Sequence, residues 1–219
     1  MNLGKVTLFT FAFILFNELI AIWVFLELWF NIGPFIDNYY LLVNGSIEIA
    51  LLAAFIAYMD GLDGIKPKRT SINYYLLALL SGLLLVLAQY PLFQLYNALF
   101  GTDINIVLDF DLARLKTVNI LAIVFLIPIA EEFFFRQFIQ RKLQLTFTRF
   151  NSVLLSAVLF SLVHLNIGAI FFEYLKFCFD DAYIALFGGI ISGTLYSRSN
   201  SVGPSILFHM AWNFVAFAA

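Results

Sequence analysis

Charge is what this chain has least of. Aspartate, glutamate, lysine and arginine make up 12% of its 219 residues, about half the usual share of roughly 25% in soluble domains. Twelve Lys and Arg against fourteen Asp and Glu leave a net charge of −2, so there is no basic field to hold a nucleic-acid backbone, and a nucleic-acid partner is excluded. One cysteine, Cys178, rules out an internal disulfide and with it a disulfide-stapled secreted module. Five prolines and twelve glycines are ordinary counts, and no low-complexity tract separates two soluble domains. Histidine is scarce too, with two in the chain.

What is there instead is apolar. Hydrophobic residues reach 63% and mean hydropathy is +0.94, against about 45–50% apolar residues in soluble domains. A soluble chain of this size keeps too much of itself near water to hide that surface. The composition therefore predicts an all-α polytopic membrane protein, a bundle of about seven to eight transmembrane helices, each needing about 20 apolar residues. Runs of that kind are Val6–Phe30, Tyr39–Met59, Asn73–Tyr90, Thr117–Gln140, Asn151–Ile167, Ala182–Tyr196 and Ser201–Ala219. The shorter stretch Gly168–Phe179 carries Glu173 and Lys176 and reads as an interfacial or re-entrant piece. Pro91–Lys116 reads as a mixed solvated loop, Asp60–Gly64 as a turn, and the first run as a retained anchor rather than a cleaved leader.

Cations in the short loops set orientation. With the N-terminus inside, Lys5, Lys66, Lys68, Arg69, Arg141, Lys142, Arg149 and Arg198 fall on the inner side, and Arg114, Lys116 and Lys176 on the outer. The expectation is an integral protein of a bacterial cell membrane with its N-terminus in the cytoplasm.

An ionisable group at the bilayer centre costs about 2.5–3.5 kcal/mol on insertion scales, so its position carries information. Glu131, Glu132 and Arg136 lie in the fourth run, His164 in the fifth, His209 and Asn213 in the last; both histidines of the protein are inside apolar runs. Residues four apart share a helix face, which pairs Glu132 with Arg136, Phe160 with His164 and His209 with Asn213. Glu131 is turned about 100° from its neighbour and has no partner on its own helix, which suits a general base. His209 and Asn213 together can donate to one developing oxyanion, and Phe160 can shield His164. At 1.5 Å per residue Glu131, His209 and His164 reach a depth of roughly 12–20 Å, near the midplane. Glu18, Glu27 and Glu48 lack such spacing and read as interfacial or packing groups. Gly189 and Gly193 form a GxxxG, a close-packing signal. A helix-borne HExxH zinc site is excluded because the histidines are 45 residues apart, and there is no GxSxG elbow, aspartyl dyad or phosphate loop.

EEFFFR at 131–136, FSLVH at 160–164 and HMAWN at 209–213, in that order, resemble the CAAX protease and bacteriocin-processing family, also called the Abi family. The stretch LFGGIISGTLYSRSNSVGPSILFHMAWN is similar to the family's block before the last motif. The resemblance runs from about Thr117 to the C-terminus, dividing the chain into membrane helices at 1–116 and a catalytic bundle at 117–219. It implies an intramembrane endopeptidase acting on a membrane-associated peptide or lipidated protein. In that reading Glu131 activates water with help from His164, His209 and Asn213 stabilise the oxyanion, and Glu132, Arg136 and Phe160 support them. Such proteins have been described both as zinc enzymes and as metal-free ones; Glu131, His164 and His209 are enough for an open three-ligand zinc site, while the His209–Asn213 spacing favours the metal-free version. The connection between His164 and Phe187 is longer than the family's, and its FFEYLKFCFDD is expected to shape a lateral gate or cap the cavity. A bacteriocin-immunity or membrane scaffold protein binding a partner through the same polar cluster is the alternative. An ion carrier is disfavoured, since the ionisable groups form one cluster and not a relay. Oligomeric state is not set by the sequence.

Overall fold

A computed structural model of the chain describes residues 3–20, 30, 33–61, 66, 68–105, 109–111, 114–166 and 176–218. Among them there are seven helices and no strand. They are α1 (Leu3–Ile20), α2 (Gly33–Asp60), α3 (Ile72–Phe100), α4 (the continuous run 119–143), α5 (Arg149–Val163), α6 (Phe179–Ser199) and α7 (Val202–Ala218). Two of them, over Asn38–Asp60 and Ile72–Phe100, are long and apolar enough to cross a membrane by length and composition; Gly4–Phe16, Arg149–Val163 and Val202–Ala218 are apolar but shorter.

The helix ends follow local chemistry. Ser71 accepts from the Asn73 amide at 3.3 Å and opens α3, and Thr148 accepts from the Asn151 amide at 3.2 Å and opens α5. Gly101, at φ 67°, closes α3 in the left-handed region. Three expectations about ends are corrected. Residues 91–100, read as loop, are helix: Pro91 forgoes one amide donor, but its fixed φ suits a helix and the next turns bury Phe93 and Tyr96. His164 is not inside a helix but is the residue that ends α5, at φ −84° and ψ 0°. Asp180 and Asp181, read as loop, form the first turn of α6, where carboxylates complement the helix dipole.

The second half of the first apolar run (21–29), Glu27 and the side chain of Glu18 lie outside the described residues, as do most of the expected interfacial piece (167–175) and the turn residues 62–64.

α4 is the central element. It is π-helical over Leu121–Leu126 and Phe133–Gln140, with an α-helical stretch, Ile127–Glu132, between them. Phe134 to Gln140 are all buried, so the helix is enclosed on every side. Phe13 of α1 stacks on Phe134 at 4.2 Å, and Phe135 meets Phe160 of α5 edge-on at 5.3 Å. A second core joins Leu85, Val86 and Phe93 of α3 to Ile184 of α6 and Phe208 and Trp212 of α7. The GxxxG expectation holds: a Cβ on Gly189 would stand 3.0 Å from that of Ala157, so α6 packs backbone-close on α5.

The ends of the bundle are sorted by charge. Asp60 pairs with both Arg141 and Lys142, Ser201 Oγ donates to the Lys68 carbonyl, and Gln144 Nε2 donates to Ser197 Oγ. These bonds gather the α2–α3, α4–α5 and α6–α7 junctions at one end. At the other, the Asp111 amide donates to the Ala218 carbonyl (2.9 Å) and the Cys178 amide to the Leu165 carbonyl (3.1 Å).

Candidate active site

The chemistry starts in the middle of α4, where two adjacent carboxylates have opposite surroundings. Glu132 is 1% exposed and fully bonded. Its Oε2 accepts from Arg136 Nε at 3.0 Å and from Ser192 Oγ, and its Oε1 accepts from His209 Nδ1 at 3.1 Å. Arg136 is in turn held by the Ser156 hydroxyl at 2.9 Å, and Ser156 donates back to the Phe135 carbonyl. A buried cation and carboxylate thus neutralise each other with their hydrogen bonds supplied by α5 and α6, the condition under which a buried pair is tolerated. Glu132 is more than the partner of Arg136: through His209 it ties α4 to α7.

Glu131 lies on another face. It is 8% exposed, and its Oε2 has no hydrogen-bond partner among the described residues. The nearest basic nitrogen is Nε2 of His209, 3.7 Å away. Because His209 gives Nδ1 to Glu132, it is Nε2 that faces Glu131 and the adjoining space.

That space is a cavity of about 260 Å³ whose wall includes Glu131, His164, His209 and Asn213, together with Gln89, Phe93, Asp181 and Trp212. All four residues expected to be catalytic therefore share one cavity. His164 Nδ1 sits 3.1 Å from the Phe160 carbonyl; a donor is needed there, so its Nε2 carries the free lone pair. Asn213 donates one amide proton to the Ile123 carbonyl at 2.9 Å, in the first π-helical stretch, which fixes the carboxamide and leaves its second proton. Phe160 lies behind them, its ring 4.7 Å from His164, 5.7 Å from His209 and 5.2 Å from the Arg136 guanidinium carbon. It backs both histidines where only one was expected.

A metal was the open alternative. Among the described residues no three His, Cys, Asp or Glu side chains are grouped to hold an ion. Each histidine gives Nδ1 to a protein acceptor and keeps Nε2 for the cavity, the tautomer a metal-bound histidine also adopts.

Sequence reasoning missed several residues. Ser156 and Ser192 add hydrogen bonds to Arg136 and Glu132, and serine in an apolar helix gives no periodic signal. Gln89 stood in plain view as a polar side chain inside LLLVLAQYPLF; the logic applied to the histidines would have found it. Asp181 was assigned to a loop and instead lines the cavity. Glu48, read as a packing group, is buried in α2 within electrostatic reach of Glu131, with Oε1 unpartnered among the described residues. Just before α6, desolvation and then Asp181 and Asp180 raise the Cys178 thiol above its ordinary range.

Residues 113–215 match the family described as type II CAAX prenyl endopeptidase, Rce1-like. No curated protein and no solved structure matches the chain. The matched stretch contains all three motifs, with Glu131, His164, His209 and Asn213 on one wall, and over these residues the chain is similar to the Rce1-like CAAX prenyl endopeptidases.

Proposed function

We propose that the protein is an intramembrane endopeptidase that hydrolyses a peptide bond in a membrane-associated substrate, CAAX-like or bacteriocin-related, with water activated by Glu131. The observation that carries this is the contrast within the glutamate pair. Glu132 is bonded on both oxygens, whereas Glu131 keeps a buried oxygen with no hydrogen bond among the described residues, 3.7 Å from His209 Nε2, at a cavity that His164 and Asn213 also line.

In this mechanism Glu131 accepts a proton from a water that His164 Nε2 orients, and the hydroxide attacks the scissile carbonyl. The oxyanion is met by the remaining amide proton of Asn213, joined by His209 Nε2 when both nitrogens of that ring carry protons, since Nδ1 is given to Glu132. Collapse of the tetrahedral intermediate breaks the C–N bond as the proton held by Glu131 passes to the leaving amine. Glu132, Arg136 and Phe160 position His209 and His164 and do not touch substrate. Residues 117–219 supply this bundle and 1–116 the membrane helices around it. Seven to eight spans, a bacterial cell membrane and a cytoplasmic N-terminus complete the reading, supported by the gathering of cations at one end.

The test is cleavage of lipidated and unlipidated membrane peptides by detergent-purified protein. Wild type is expected to cleave with or without a chelator, and Glu131→Gln to lose turnover by at least the roughly 10²–10⁴-fold that a general base supplies, with its melting temperature unchanged. Equal loss of stability and turnover would make Glu131 structural. No cleavage of any peptide by wild type would favour the immunity or scaffold alternative.

A further inference from the structure

The cavity beside Glu131 has two polar side chains on its wall that the mechanism above leaves without a task, Gln89 and Asp181. Asp181 is exposed and has the Cys178 thiol beside it. Gln89 is half-buried in the apolar stretch LLLVLAQYPLF of α3 and makes no hydrogen bond among the described residues. A carboxamide taken from water without a partner is costly, so this one needs something in the cavity to bond.

The packing of α3 on α7 sets where that carboxamide lies. A Cβ on Gly203 would stand 2.5 Å from the Tyr75 hydroxyl oxygen, and a Cβ on Gly82 would stand 2.6 Å from the Phe208 carbonyl oxygen and 2.9 Å from Cβ of Ala211. The two contacts advance in step along both helices, so α3 and α7 run parallel. Gln89 is seven residues past Gly82, two turns further on the same face and about 10 Å along the axis. The same advance along α7 leads from 208–211 to 215–218, just past Asn213. Helical side chains lean back towards the N-terminal end of their helix, which brings the Gln89 carboxamide towards the Asn213 level. Gln89, Asn213 and Ala216 accordingly share the cavity wall. The two carboxamides are offset along the bundle by about one turn, roughly 5 Å.

An extended peptide rises about 3.3 Å per residue. With its scissile carbonyl at Asn213 and its chain along the α3–α7 seam, it places a backbone amide one or two residues away beside Gln89. The rest of the wall includes Phe93, Ile127, Ile184 and Trp212, so a bound peptide gives up the water on its amides, and each amide left unpaired is expensive. Asn213 and His209 serve the reacting carbonyl. The neighbouring amide needs one donor and one acceptor, and a carboxamide supplies both.

We propose that Gln89 is a substrate-binding residue that holds a backbone amide of the peptide one or two residues from the scissile bond. This deepens the peptidase reading and rests on it. The main-chain grip comes from α3, which lies outside the matched residues 113–215.

Gln89→Leu tests it, since leucine is close in size and suits an apolar helix; its melting temperature in detergent is expected to match wild type. Kinetics are measured on a membrane peptide that wild type cleaves in the panel above. They are repeated on derivatives in which one amide within two residues of the scissile bond becomes an ester, which has no N–H and accepts weakly. For wild type, one of these esters is expected to lower kcat/KM by roughly 3–10-fold, the worth of one neutral hydrogen bond, through KM. Gln89→Leu should show that loss on the all-amide peptide and no further loss on that ester. Wild-type kinetics in Gln89→Leu, or losses that add at every ester position, would refute the grip and leave the peptidase reading standing. A joint fall in melting temperature and turnover would make Gln89 a packing residue. If detergent-solubilised wild type cleaves no peptide, the peptidase reading fails and the proposal falls with it.

Discussion

Glu131 and Glu132 are neighbours with the same side chain, and what separates them is which oxygens have partners. Glu132 has three donors from three helices, so replacing it removes structure: Glu132→Gln leaves the Arg136 guanidinium, 0% exposed, without its counter-charge. Breaking a buried pair in this way costs about 3–5 kcal/mol. The check is thermal unfolding in detergent, and an unchanged melting temperature would refute the structural role. Cys178 makes a residue-scale prediction by pH. Its thiol is raised by desolvation and by Asp181 and Asp180, and the thiolate is the reactive form. At neutral pH less of it is ionised than in a free thiol, so maleimide alkylation is expected to be slow and to climb only at alkaline pH. Asp181→Asn removes one of the causes and should move that rise to lower pH.

At the scale of elements, hydropathy was enough to locate most of the helices and too coarse to end them. Apolar runs mark where a chain prefers lipid, whereas helix ends depend on single caps such as Gly101 and Thr148. A proline normally signals an end, yet α3 continues past Pro91 because Phe93 and Tyr96 have a core to enter. The polar spacing in α4 and α7 was legible because charged and imidazole side chains are rare in apolar helices. Ser192 and Gln89 were not read, since their value depends on which helix faces them. The two π-helical stretches around Glu131 and Glu132 had no sequence signal at all, although such widened turns are frequent at functional sites. Close packing is testable at Gly188. An added Cβ would stand 2.3 Å from Cζ3 of Trp212, whose ring lies 5.7 Å from that of His209 and lines the cavity. Gly188→Ala is expected to cost about 1–3 kcal/mol, as overpacking does, and to lower turnover as well. Full activity with a normal melting temperature would show that Trp212 has room to move.

For the whole molecule, the family match and the packing draw different boundaries. The match spans 113–215, but α3, which precedes it, packs Leu85, Val86 and Phe93 against Phe208 and Trp212 of α7 and brings Gln89 to the cavity wall. The approach is backbone-close: a Cβ on Gly82 would stand 2.6 Å from the Phe208 carbonyl oxygen. In a bilayer, lipid tails are as apolar as leucine, so such association rests on fit between helices more than on expulsion of water. A fragment of residues 113–219 would keep Glu131, His164, His209 and Asn213 and lose the surface that fixes α7, and with α7 the positions of His209 and Asn213. It is therefore expected to be degraded or inactive when made alone. Co-expression with residues 1–105 should restore protease resistance and turnover, since the missing contacts lie between helices rather than along the chain. A stable, active 113–219 fragment would show that α3 is only a neighbour of the site and that the matched segment carries the function unaided.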